Sequence, residues 1–324
     1  MKRRTLLTGM CALVGTRVLP VNAQARVPRV AFLIYGRGAA NESRIQTFRD
    51  GLKALGYVDG RNVLVDLRGG QLSREVTDRL ATELVASKPD VIVAQGYAIR
   101  AAVARTKSIP IVCVFSGDLV EAGLVKSLAR PGGNLTGIQL MALDLVGKRI
   151  ELVKELLPKL ARIAVIADPQ HAGEHLERDV SLKAAARLGI QVSYHPVKSF
   201  EDYEAALLAA RASDAEALVL FPDTVTNNRT ELTAAFALEH RLATVAGWDN
   251  YVDAGQLISY GPNLRASWGR LAYYVDRVLK GTDPATLPVE LPAVFELVVN
   301  LGTARALGVT IPPSILLRAD RVIE

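Results

Sequence analysis

Four aspartates stand where a short apolar run gives way to polar sequence: Asp118 after 111–114, Asp168 after 163–167, Asp223 after 217–220 and Asp249 after 244–246. A carboxylate so placed can pair with a ligand ammonium, or it can cap a helix by accepting a first-turn backbone N–H. Aromatic residues make up 6 % of the chain, yet Tyr35, Tyr97, Phe115, Trp248 and Tyr260 fall at the same kind of junction. Flat rings there can cover a cation or the apolar body of a small molecule. Ser116, Thr136 and Thr224 add hydroxyls, for which turn formation is the ordinary alternative, and Gly96 shares its junction with Tyr97. These residues are the candidate ligand-binding set, with Asp118 and Asp223 the first choices.

Other chemistry finds less support. His171 and His175 have the i,i+4 spacing of a metal pair, but no third ligand accompanies them, so a solvated helix end is the simpler reading. His195 and His240 are isolated. No Gly-x-Ser-x-Gly elbow, Walker loop or Cys/His cluster appears, and Gly36-Arg37-Gly38 lacks the last glycine of a dinucleotide fingerprint. Cys113 lies inside an apolar run, the setting of a small core residue. No catalytic residue, metal or cofactor is expected.

The elements that must position the candidates are legible from one repeated pattern. Apolar runs of four or five residues (30–34, 91–94, 111–114, 163–167, 217–220) alternate with helical stretches. Such runs are parallel strands buried on both faces. In those sheets ligands bind beyond the carboxyl ends of the strands, where the aspartates and aromatics sit. The first half predicts strands at 29–34, 62–67, 91–94, 110–114 and 135–139, with helices at 41–55, 74–87, 97–107 and 119–129. The second half restarts the pattern with helices at 144–157, 174–188, 200–211 and 227–240, and strands at 162–167, 190–195, 216–220, 243–246 and 256–260. Helix 265–280, strand 295–299, helix 301–307 and a tail after Pro312-Pro313 follow. The fold class expected is therefore α/β, two doubly wound parallel-sheet lobes with a cleft between them. The expected division is 26–138 plus 262–284 for one lobe and 139–261 plus 285–324 for the other.

Residues 1–25 read as an export signal: Lys2, Arg3 and Arg4 precede an apolar stretch at 6–15, and Ala23-Gln24-Ala25 is a cleavage site. Arg3-Arg4 loosely resembles a twin-arginine signal, but the flanking Ser and Phe are missing and the general secretory route is favoured. Cys11 lies in a poor lipobox. A periplasmic protein is expected. Removing 1–25 takes four basic residues (Lys2, Arg3, Arg4, Arg17) and no acidic one from 39 Lys+Arg against 33 Asp+Glu, which leaves +2. The basic balance belongs mostly to the signal, and no basic stripe remains to hold nucleic acid.

Several segments together resemble one known family. They are FRDGL at 48–52, LGYVDGRN at 55–62, PDVIVA at 89–94, IPIV at 109–112, GLVKSLARPGGNLTG at 123–137, GKRIEL at 147–152 and FELVVNLGTARALGVTIPP at 295–313. The match is to ABC-transporter substrate-binding proteins of the tryptophan/tyrosine-binding type, with the type I periplasmic binding fold. That resemblance implies a monomer that closes on a small molecule, amino-acid-like or an aromatic carboxylate, and delivers it to an ABC permease at the inner membrane. The chain departs from common family patterns at Gly96-Tyr97, Gly117-Asp118-Leu119 and Asp168-Pro169, which leaves the ligand's identity open. A sensor for a membrane receptor is the alternative on the same fold. An exported enzyme would need a His beside a Ser or Cys, and no such motif is visible.

Overall fold

The computed structural model describes residues 26–36 and 39–324; the expected export signal lies outside the described residues. The first sheet holds β1 (Arg29–Ile34), β2 (Leu64–Gly69), β3 (Val91–Gln95), β4 (Ile111–Phe115) and β5 (Leu135–Gln139), in the order β2-β1-β3-β4-β5 with every pairing parallel. Its helices are α1 (Ala39–Ala54), α2 (Arg74–Ala86) and α3 (Tyr97–Arg105). Then α4 (Leu143–Leu156) opens a second unit. It runs β6 (Arg162–Ala167), α5 (Glu174–Arg187), β7 (Gln191–Pro196), α6 (Tyr203–Ala212), β8 (Ala217–Leu220), α7 (Thr224–Asn227), α8 (Thr230–Glu239), β9 (Ala243–Ala246), α9 (Asp249–Asp253) and β10 (Ile258–Pro262). After α10 (Leu264–Leu279) come β11 (Phe295–Asn300), α11 (Leu301–Leu307), α12 (Pro313–Leu316) and β12 (Arg321–Ile323). The second sheet is ordered β12-β11-β10-β9-β8-β6-β7, and only β10 and β11 run antiparallel.

Burial follows position in the sheet. The inner strands β3, β4, β6 and β8 are apolar nearly throughout and closed to solvent, whereas the edge strands β2 and β7 have partly exposed patterns. In the first lobe, Phe48 of α1 and Trp268 of α10 pack on Phe32 of β1, with ring centroids 5.0 and 6.0 Å away. Helix α10 therefore returns to the first sheet, held by an apolar stripe of Leu264, Trp268, Leu271, Val275 and Val278.

Among the described residues the chain passes between the lobes three times, at 140–142, 262–263 and 291–294. The last two passages lie side by side, joined by the Asn263 N–H to the Val294 carbonyl at 2.9 Å. Residues 285–290 were expected in the second lobe. Instead they hydrogen-bond along the first sheet's edge, through Ala285 to Gly132, Val289 to Leu128 and Glu290 to Gly137 and Gln139. The boundary moves because β5 would otherwise leave an unpaired edge.

Three local expectations change as well. Residues 119–129 form turns and not a helix: Asp118 starts one turn, and Gly123, at φ +68°, ends it in a conformation that L side chains rarely adopt. The expected helix 227–240 is divided into α7 and α8 around Asn228-Arg229. The tail contributes the short strand β12, which pairs with β11.

Candidate functional site

The sheet orders reverse between β1 and β3 in one lobe and between β6 and β8 in the other. The carboxyl ends of those strands face each other across the inter-lobe cleft, as a doubly wound sheet requires of its ligand crevice. An inner cavity of about 30 Å³, room for one water, lies between them. Tyr35, Gln95, Gly96 and Ser116 line it from the first lobe, and Asp223, Thr224, Asn227 and Trp248 from the second. An outer chamber of about 970 Å³ adjoins it, between α1 on one side and α8 and α9 on the other. Arg44, Asn227, Asn228, Leu264 and Trp268 border both spaces.

Arg44 is the most unusual of these. It stands on the same stripe of α1 as the core residues Phe48 and Leu52, and only 8 % of it is exposed. Its Nη2 is buried without a hydrogen-bond partner. Burial pushes the guanidinium below its ordinary pKa, and Asp249 and Tyr251 offset this only in part. A buried cation with an open donor is costly unless an anion completes it. Nearby, Gln95 Oε1 is also buried without a partner. The site thus presents an unfilled donor and an unfilled acceptor beside two tryptophan side chains.

Asp223 sits opposite, 2 % exposed. Its Oδ1 accepts the Thr226 N–H at 2.8 Å and its Oδ2 the Asp168 N–H at 2.9 Å. Burial nevertheless raises its carboxyl to about 7, and the nearby Asp168 adds to the rise. The residue is at once the N-cap of α7 and a wall of the cavity. In the outer chamber Asp249 lies 3.5 Å from Arg321, which also holds Asp253 at 2.6 Å.

The expected ligand set divides. Tyr35, Gly96, Ser116, Asp223, Thr224 and Trp248 line the inner cavity, and Asp249 lines the outer chamber. The other positions border neither space. Tyr97 turns toward α2, its hydroxyl donating to Asp78 at 3.1 Å beneath Arg74. Phe115 is buried in the first lobe's core. Asp118 caps a turn, its Oδ1 accepting the N–H groups of Val120 and Glu121. Thr136 is fully buried and donates to the Leu287 carbonyl at 2.7 Å. Asp168 closes a turn by accepting the Gln170 N–H at 2.8 Å. Tyr260 packs on the second lobe's core and offers only its carbonyl, to Arg149 Nε. Phe115, Thr136 and Tyr260 lie in strands, where alternation turns successive side chains from one face of the sheet to the other. For Asp118→Ala, chemical denaturation should show a loss of about 1 kcal/mol, with ligand affinity unchanged.

Arg44, Gln95, Asn228, Leu264 and Trp268 were not anticipated. Arg44 had a signal: it is a charge four and eight residues before Phe48 and Leu52, on a stripe that should be apolar. Trp268 reads as core from sequence, and it is core on one face.

The histidines divide against expectation. His175 stands in the exposed first turn of α5, a solvated helix end as expected, whereas His171 is part-buried, and each reaches toward the other lobe. His171 Nε2 lies 2.8 Å from Ser116 Oγ, and His175 Nδ1 lies 3.5 Å from Glu121. The Asp118 N–H donates to the Ala172 carbonyl at 3.0 Å beside them. Among the described residues, no group of three or more His, Cys, Asp or Glu converges as metal ligands would.

Comparison with known proteins agrees with this architecture. The family described as ABC transporter substrate binding protein matches residues 30–323. A tyrosine-binding protein of Clostridioides difficile is 28 % identical over 266 residues, covering 80 % of this chain and 75 % of that protein. A conserved domain protein of Vibrio cholerae superposes with a TM-score of 0.85 at 30 % identity, covering 92 % of this chain and 100 % of the other. An ABC domain in complex with L-Trp from Streptococcus pneumonia superposes with a TM-score of 0.85 at 23 % identity, covering 91 % and 99 %. The match spans both lobes and the passages between them, and the chain belongs to the family of ABC transporter substrate-binding proteins.

Proposed function

We propose that the chain is the periplasmic receptor of an ABC uptake transporter, a monomer that closes its lobes on a small carboxylate with a planar or apolar body and presents the closed form to a permease. The observation that carries this reading is Arg44, which borders both the inner cavity and the outer chamber and whose buried Nη2 has no hydrogen-bond partner. A ligand carboxylate would complete it, while Trp248, Trp268 and Tyr35 would cover the body. An ammonium on the same ligand would find Asp223 and Gln95 Oε1. The ligands of the relatives, tyrosine and L-Trp, have this chemistry. Small-molecule sites enclose roughly 300–1,000 Å³. The inner cavity alone is too small, so the ligand would lie across Arg44 into the outer chamber.

Contacts from both lobes are made only when the cleft shuts, and this difference in contacts drives closure. A thermal-shift screen tests the assignment. L-tyrosine, L-tryptophan or their deaminated acids at a hundredfold excess over Kd should stabilise by about 2.7 kcal/mol. A melting temperature that these leave unmoved and sugars raise would overturn the reading.

A further inference from the structure

The loop before α5 meets the loop after β4 along one lip of the cleft. There the Ser116 and His171 side chains form a hydrogen bond of 2.8 Å between residues of different lobes. The imidazole rests directly on Gly117: a methyl built there would lie 3.1 Å from His171 Cε1 and overlap the Ala172 carbonyl oxygen. Phe115 covers the ring, with centroids 6.2 Å apart. Ser116 also lines the inner cavity, so the contact joins the lip to the ligand space.

We propose that Ser116 and His171 form a proton-controlled clasp: neutral His171 holds the lobes together, and its protonation parts them and releases the ligand. The proposal rests on hinge closure but not on the identity of the ligand. In the closed arrangement an added proton would be poorly housed. Arg100 on α3 opposes it, and burial with that charge lowers the imidazole to about 4. The Asp118 carboxylate on the facing lip is already occupied by the N–H groups of Val120 and Glu121. On the same side as His171, Glu174 is 3.9 Å from Arg178, and Asp168 accepts the Gln170 N–H. The pair His175–Glu121 works in the opposite sense, since a charged His175 is drawn to Glu121. Its side chains are 52 % and 39 % exposed, which makes it the weaker influence. Opening returns His171 to water and to an ordinary imidazole pKa, so protons favour the open form.

The test uses the ligand-free mature chain with spin labels on Val120→Cys and Asp179→Cys, one exposed position on each lip. Between pH 7.5 and 5.5 the closed-to-open ratio should fall about tenfold relative to that of His171→Gln, the linkage expected for a histidine moving from about 6.5 when open to the closed value. His171→Gln keeps a hydrogen-bonding group but not the titration, and its ratio should keep only the opposite slope that burial of Asp223 in the same cavity gives parent and variant alike. Gly117→Ala should be open at both pH values. A pH dependence that is the same in the parent and in His171→Gln overturns the clasp. The measurement needs no ligand, so a wrong ligand class would leave it readable.

Discussion

Arg44→Gln should sharply reduce the thermal response to carboxylate ligands while leaving the ligand-free chain as stable as the parent or more so. The two halves of this result have one cause. In the ligand-free cleft the guanidinium is buried, one of its donors is unfilled, and Asp249 compensates the charge only partly. Replacing it with a neutral group removes a desolvation cost without breaking an established pair. With a carboxylate bound, the same guanidinium would make a charge-assisted hydrogen bond in a dry site. Losing one partner of such a pair costs about 2–5 kcal/mol, which is a factor of roughly thirty to several thousand in Kd. Thermal denaturation with and without L-tryptophan separates the two effects. If Arg44→Gln lowers the stability of the free chain and leaves the ligand shift intact, Arg44 is a structural residue and the ligand's anchor lies elsewhere.

Sequence revealed the fold more fully than the site. Buried parallel strands leave a strong trace, because runs such as 111–114 must be apolar on both faces. The crossing points were harder to read, since residues 285–290 belong to the first lobe through backbone hydrogen bonds that carry no side-chain signature. At the site, chain position marked the right loops but not which side chain in each loop faces the cleft. Asp118 and Asp223 follow strands in the same way, yet one caps an exposed turn and the other walls the cavity. Arg44 and Trp268 come from helix faces, where a residue bordering a cleft has the same spacing as a core residue.

The Ser116–His171 pair shows the limit of motif reading most clearly. No local pattern brings these residues together; 55 positions separate them, and the fold joins them. A serine and histidine at this distance meet the first geometric requirement of nucleophilic catalysis. The base, however, is held at about 4, too weak to take a serine proton efficiently near neutral pH. Among the described residues, no carboxylate hydrogen-bonds the ring to raise its basicity. The contact therefore suits a clasp better than a catalytic dyad.

Asp223 carries the second large effect, and its sign can be worked out. Its carboxyl titrates near 7 in the folded chain against 3.8 for an ordinary aspartate. Between those values the folded form keeps a proton that the unfolded form gives up, so stability falls as pH rises from about 4 to 7 and is flat above. The contribution is on the order of 4 kcal/mol. Glu177 and Glu296, both raised to about 7 by burial, push the same way, whereas His171 and His195 push the opposite way at lower pH. Comparison with Asp223→Asn cancels these shared slopes. The variant cannot accept both the Thr226 and Asp168 N–H groups, so at pH 5 it should be less stable by about 1–3 kcal/mol. At pH 8, where the parent must bury a charge, the order should reverse. A ligand ammonium beside Asp223 would supply the missing countercharge. With L-tryptophan bound, the parent's loss of stability toward pH 8 should shrink, and with the deaminated acid it should persist. Parallel pH profiles for parent and variant would show that this carboxyl titrates as it does in water, and the ammonium would need another partner.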